Sequence, residues 1–186
     1  MMPIGTILSY AGPIYRPDMQ ALFAENEEAG NIGLRNFRTL ANEGYLLCDG
    51  KRVPVTALPL LHAAIANSWG GPPAGLYFNI PDLRGVFLRG IDNDAGRDTD
   101  KGSRGSLLDG GSTGNFVGSF QKVIHFINNG SVGSPVPRGD AAAHSGGHGV
   151  QRLHGHEDQD TRPQNVYVNY IILASTSPIN VDSLAI

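Results

Sequence analysis

The residues with the most evident chemistry in this 186-residue chain are its histidines, of which His144, His148, His154 and His156 fall within thirteen positions. In an extended segment positions i and i+2 face the same side, so both imidazoles of His154-Gly155-His156 can reach one ion. A single chain then offers two ligands, too few for a closed structural metal site. Three copies around an axis would offer six, which permits octahedral transition-metal coordination. The plain alternative is a pair of exposed loop residues. His144 and His148 have the i, i+4 spacing of a helical metal pair, but the intervening Ser-Gly-Gly makes a loop the better expectation. His62 reads as a surface or interface residue.

Three other patterns imitate catalytic or metal sites. Gly-Gly-Ser-Thr-Gly at 110–114 fits a nucleophile elbow, which works only on a sharp turn from a strand into a helix. It lies in a Gly-rich stretch with no helical pattern after it. Asp92-Asn93-Asp94 begins like a calcium loop, yet Gly96 stands where a fifth-position oxygen ligand belongs and Ser103 where the closing Glu belongs. Glu157, Asp158 and Asp160 supply the carboxylates a glycosidase uses, but adjacent acids in a polar loop are ordinarily just solvated. A small metal-dependent hydrolase built on the histidine cluster is the enzymatic alternative, and the residues favour a non-enzymatic chain.

The elements that would position these residues are short. With 25 glycines and 12 prolines, the chain reads as brief strands joined by long surface loops. Such a chain often completes its core by oligomerising. Strands are expected at 3–11, at 44–50 with a return at 51–55 across the Asp49-Gly50 turn, around Pro81-Asp82 within 77–91, at 117–127 and at 165–174. In the last of these Val166, Val168 and Tyr170 alternate against Tyr167, Asn169 and Ile171. The stretch 77–91 places Phe78, Ile80, Leu83 and Phe87 inward. A helix is expected over 17–29, with Leu22 and Phe23 buried and Gly30 as its stop. A second is expected from Thr56 as cap to Trp69, with Pro59 in its first turn and Leu60, Ile65 and Trp69 as its apolar stripe. Segments 92–115 and 128–160 read as loops, and 175–186 as a peripheral tail.

Charge and apolar runs narrow the function class. The net charge is −3, and the 14 basic residues are scattered, so the basic stripe that nucleic acid requires is missing. Cys48 is the sole cysteine, which rules out an intrachain disulfide. The longest apolar run, 166–174, is broken by Asn169 and falls far short of the ~20 residues that span a bilayer. No membrane insertion is expected. The start lacks a basic region followed by an apolar one, so the protein is expected to be made in the cytosol, or assembled into a particle there.

Seven blocks in fixed order carry a family resemblance: IGTILSYAG, GYLLCDGKRV, the helix ending SWGG, FNIPDLRGVFLRGID, GRDTD, VGSFQ and RPQNVYVNYII. The chain resembles the phage tail collar family over roughly residues 3–174, with one long insertion between about 128 and 160. The resemblance implies a mostly β, collar-like α+β module over 1–174 with one or two short helices and long irregular loops, forming an intertwined homotrimer. It implies a virion tail protein at a fibre tip that contributes to host attachment. A fibre-connecting or baseplate subunit without receptor binding is the alternative, and phage or phage-like machines are equally open. Implied partners are its own copies, other tail-fibre or baseplate proteins, and a host cell-surface glycan or protein. By the same resemblance His154 and His156 would hold zinc or iron on the trimer axis. The Asp49-Gly50 and Pro81-Asp82 turns would set strand direction, and Asp82, Arg84 and Arg89 would pair to hold irregular backbone. Shaft repeats are absent, which points to a separately encoded tip or baseplate subunit.

Overall fold

The computed structural model describes residues 2–19, 27–72, 75–121, 125–127, 136–138 and 165–184. The chain divides into one unit of residues 1–121 and 167–186 and a second of residues 122–166. In the second unit, β7 (His125–Ile127) pairs antiparallel with β8 (Val136–Arg138), Phe126 opposite Pro137.

The first unit is built on a strand that comes late in the chain. β9 (Asn169–Leu173) lies between β1 (Ile7–Tyr10) and β2 (Tyr45–Leu47), antiparallel to both. Its run Ile171-Ile172-Leu173 is buried throughout, as a strand covered on both faces requires. Successive side chains on a strand point to opposite faces, and the two sides have separate cores. Ile172 joins Leu46, Cys48, Val53, Leu61, Phe78 and Ile80 in the larger one. Ile171 meets Ile14 and Leu40, with Phe37 packed alongside.

The smaller core is closed by α1 (Glu27–Asn42), which the sequence misplaces. Instead of ending a helix at 29, Gly30 lies inside one that continues for twelve more residues. The expected start of that helix falls partly on residues 20–26, Leu22 and Phe23 included, which lie outside the described residues. The physical reason is contact. A Cβ on Gly33 would stand 2.0 Å from Cδ2 of Tyr15, and the Tyr15 N–H donates to the Gly33 carbonyl at 3.2 Å. Glycine is used here for close approach, at the usual cost in helix propensity.

The larger core is closed by β3 (Arg52–Pro54), α2 (Pro59–Ile65) and β4 (Tyr77–Asn79). The expected hairpin of 44–50 with 51–55 does not form. β2 pairs with β9, and β3 pairs with β4, Val53 opposite Phe78. Between them the chain crosses from one sheet to the other at Gly50, whose φ is 75°. Its N–H donates to the Pro81 carbonyl, while Ile80 donates to Lys51 and Leu83 to Cys48. Segment 48–51 therefore pairs with 80–83 across an Asp49–Asp82 bridge. A turn signal marks the bend but does not name the partner strand.

α2 has Pro59 in its first turn as expected, but Leu58 is the capping position and no side chain caps it. The helix stops at Ile65, where Ala66 adopts φ 47°. Its fully buried residue is Leu61, and Leu60 is 59% exposed. Ile65 and Trp69 do pack against the core. Phe78, Ile80 and Leu83 are buried as expected, whereas Phe87 is 70% exposed. The expected strand 117–127 splits into β6 (Ser119–Phe120), which pairs with β5 (Gly105–Ser106), and β7 of the other unit. Residues 175–184 are not peripheral, because Ile179 and Leu184 are buried in the larger core.

Candidate functional site

Two carboxylate-centred clusters set the polar architecture. Asp49, its side chain 3% exposed, accepts from Arg16 Nη1 at 2.7 Å and from the Lys51 N–H at 3.1 Å. Arg16 turns its other edge to Asp18 at 2.8 and 3.0 Å. On the facing segment Arg84 clasps Asp82 in a two-point fork of 2.6 and 2.7 Å. Hydrogen bonding to Arg84 holds the Asp82 carboxyl below the usual carboxylate range, and the same bond raises the arginine. Between these carboxylates lies Cys48, whose thiol is pushed up to about 12 by burial and then by the negative charges of Asp49 and Asp82. A thiol so held stays protonated and is a poor nucleophile.

The second cluster organises the loop that starts at Asp92. The Asp92 side chain is 1% exposed. It accepts from the backbone N–H groups of Gly96, Arg97 and Asp98 at 3.2, 2.8 and 3.0 Å, and from Lys101 Nζ at 2.9 Å. The lysine first and the backbone donors next hold its carboxyl far below the ordinary value, against the opposing effect of burial. Asn93 and Asp94 take the left-handed backbone (φ 41° and 63°) that lets the chain wrap the carboxylate. The calcium-loop pattern thus encloses a cation of the chain's own, the Lys101 ammonium. One step on, Asp98 receives Arg104 Nη2 at 2.5 Å, with Arg89 Nη2 at 3.7 Å. The expected pairing of Asp82, Arg84 and Arg89 is thus divided between two carboxylates.

The remaining sequence candidates separate. Ser112 lies in irregular chain packed on the 68–71 segment: its N–H donates to the Ser68 carbonyl, and a Cβ on the neighbouring Gly110 would meet the Gly71 oxygen. Residues 113–121, which follow it, contain no helix, so the elbow geometry is absent. His62 sets its ring against Phe78, centroids 5.1 Å apart. His154 and His156, with His144 and His148, lie outside the described residues, as do Glu157, Asp158 and Asp160. Among the described residues no group of three His, Cys, Asp or Glu side chains is placed to hold a metal, and no helix is long and apolar enough to cross a membrane.

Two surface features were not legible beforehand. Large apolar side chains stand exposed on both flanks of the Asp92 loop: Phe87 and Leu88 before it, Phe116 (70%) and Val117 after it. Tyr167 is 89% exposed just ahead of β9. Apolar exposure of this kind marks interaction surfaces when it gathers in patches. The other feature is a cleft of about 480 Å³ between the C-terminal half of α1 and residues 178–182. Its walls come from a helix displaced from its expected position and a tail expected to be peripheral, so no local signal could reveal it.

Comparison with known proteins adds a family to this geometry. Residues 34–88 match the model of the Phage Tail Collar Domain. That span runs from α1 through β2, β3, α2 and β4 and contains both the Asp49 and Asp82 bends. Over 190 residues the chain is 30% identical to Protein RhiB of Rhizobium leguminosarum bv. viciae, taking in 91% of this chain and 85% of that protein.

Proposed function

The chain belongs to the phage tail collar domain family, a structural family of phage tails, and we propose that it is a homotrimeric fibre-tip protein that contributes to host attachment. The observation that carries this reading is the exposure of Phe87, Leu88, Phe116 and Val117 on either side of a loop locked by Asp92. Apolar surface beside rigid backbone suits burial against further copies of the same chain. Intertwining of the three chains belongs to the same reading. So does an axial zinc or iron held by His154 and His156. Its place is the virion tail, beside other tail-fibre or baseplate proteins.

Light scattering on the purified chain should give a mass of three chains. Phe87→Asp combined with Phe116→Asp should shift it to one chain and abolish adhesion to host cells. A stable monomer from the unaltered chain would remove the trimer reading.

A fibre-connecting or baseplate role in a phage-like injection machine is the second reading. It is favoured by one finding, that the matched relative is a bacterial protein. Adhesion separates the two, since a connector trimerises without binding cells.

A further inference from the structure

The cleft between α1 and residues 178–182 has a lining suited to one class of ligand, and we propose that it binds a short, uncharged oligosaccharide. The ring of Phe37 and the flat face of Pro178 provide apolar surface, on which the C–H face of a pyranose can lie. Around them stand Arg38, Asn42, Asn180 and Asp182. These are planar groups whose paired donors or acceptors match vicinal hydroxyls.

These donors and acceptors are available. The side chains of Arg38, Asn42 and Asp182 make no hydrogen bond or ion pair among the described residues. Asn180 turns its Oδ1 inward to the Asp182 N–H at 3.1 Å and its backbone carbonyl to Ser183, which leaves its amide NH2 for a ligand. One arginine and one aspartate balance the charge of the lining, so it has no preference for phosphate or nucleic acid. The walls are the C-terminal half of α1 and residues 178–182, none of them in a strand, so no strand edge is offered to an extended peptide. A volume of about 480 Å³ lies within the ordinary range for small-molecule sites and exceeds what one sugar ring fills.

This deepens the attachment reading and rests on it for biological purpose alone, because the cleft is complete within one chain. Saturation-transfer NMR on the full chain with maltotriose, cellotriose and N,N′,N″-triacetylchitotriose, and with ATP as a charged control, tests it. At least one trisaccharide should show saturable transfer and ATP none. Arg38→Ala combined with Asp182→Ala, both exposed and outside the core, should weaken that binding about tenfold or more with an unchanged melting temperature. Silence from all three sugars, a preference for ATP, or undiminished binding by the double variant would overturn the proposal. Light scattering on the same sample keeps the readings apart. A sugar-binding monomer removes the trimer and leaves the cleft, and a trimer indifferent to sugar does the reverse.

Discussion

A carboxylate that gathers three backbone N–H groups and an ammonium fixes a loop as firmly as a bound ion would, and Asp92 does this for residues 92–101. Asp92→Asn keeps the shape and removes the charge that Lys101 and the amides answer. Amide exchange at Gly96, Arg97 and Asp98 should then quicken by about tenfold or more, read by hydrogen exchange with mass spectrometry, while β9 keeps its protection. The pH dependence has a definite sign. The folded-state pKa of Asp92 is depressed, so its contribution is fully present above the ordinary carboxylate value of about 3.9 and drains as pH falls below it. Lys101, raised by the same contact, contributes below its ordinary value of about 10.4 and loses that contribution as pH rises through its higher folded value. Loop protection in the unaltered chain should therefore be flat between these limits and fall on the acid side, and in Asp92→Asn the acid fall should vanish. At this scale the sequence was informative about type and silent about partner. The Asp-Asn-Asp opening was visible, as was its failure as a calcium loop, but the cation that completes it is nine residues on and carries no motif.

Elements were legible where their pattern was local. β9 lies within the strand expected at 165–174, but Val166 and Val168 of the expected alternation stand exposed ahead of it and its core is the unbroken run Ile171-Ile172-Leu173; α2 was marked by Pro59 before an apolar run, although Leu61 rather than Leu60 proved to be the buried residue. α1 was misplaced because glycine reads as a stop when only the chain is seen, and Tyr15 must be in view before Gly33 makes sense. Gly33→Ala tests that account. Helix propensity alone predicts a gain of about 1 kcal/mol, whereas a Cβ placed 2.0 Å from the Tyr15 ring should cost about 1–3 kcal/mol through overpacking. A lowered thermal midpoint is the expected result, and a raised one would mean the tyrosine swings aside freely. The missing β2–β3 hairpin has the same root. Asp49-Gly50 encodes a bend, and the choice of β9 and β4 as partners depends on residues more than twenty positions away.

At the scale of the whole molecule, the family resemblance read from seven blocks agrees with the match over residues 34–88. Two of the blocks, GYLLCDGKRV and FNIPDLRGVFLRGID, meet at the Asp49–Asp82 bridge, where irregular backbone restricts residue type. The proposed trimer and host contact concern surfaces beyond a single chain, which its sequence encodes only as exposed apolar groups such as Phe87. For the proposed axial metal, His154→Ala combined with His156→Ala should remove about one ion per three chains, measured by elemental mass spectrometry, and lower the melting temperature of the proposed trimer. Metal content unchanged by that pair of substitutions would place any ion elsewhere.

The central position of β9 has a consequence for biosynthesis. β1 and β2 emerge from the ribosome more than a hundred residues before the strand that joins them. Until then each has a bare edge, and both cores lack the strand that divides them. The sheet is therefore assembled after nearly all of these residues have been translated. A ribosome that stalls within the 128–160 insertion would release a chain with two unpaired strands and no completed sheet. Truncated chains of that kind should go to proteolysis or aggregation, so order of synthesis itself acts as a length check on the protein.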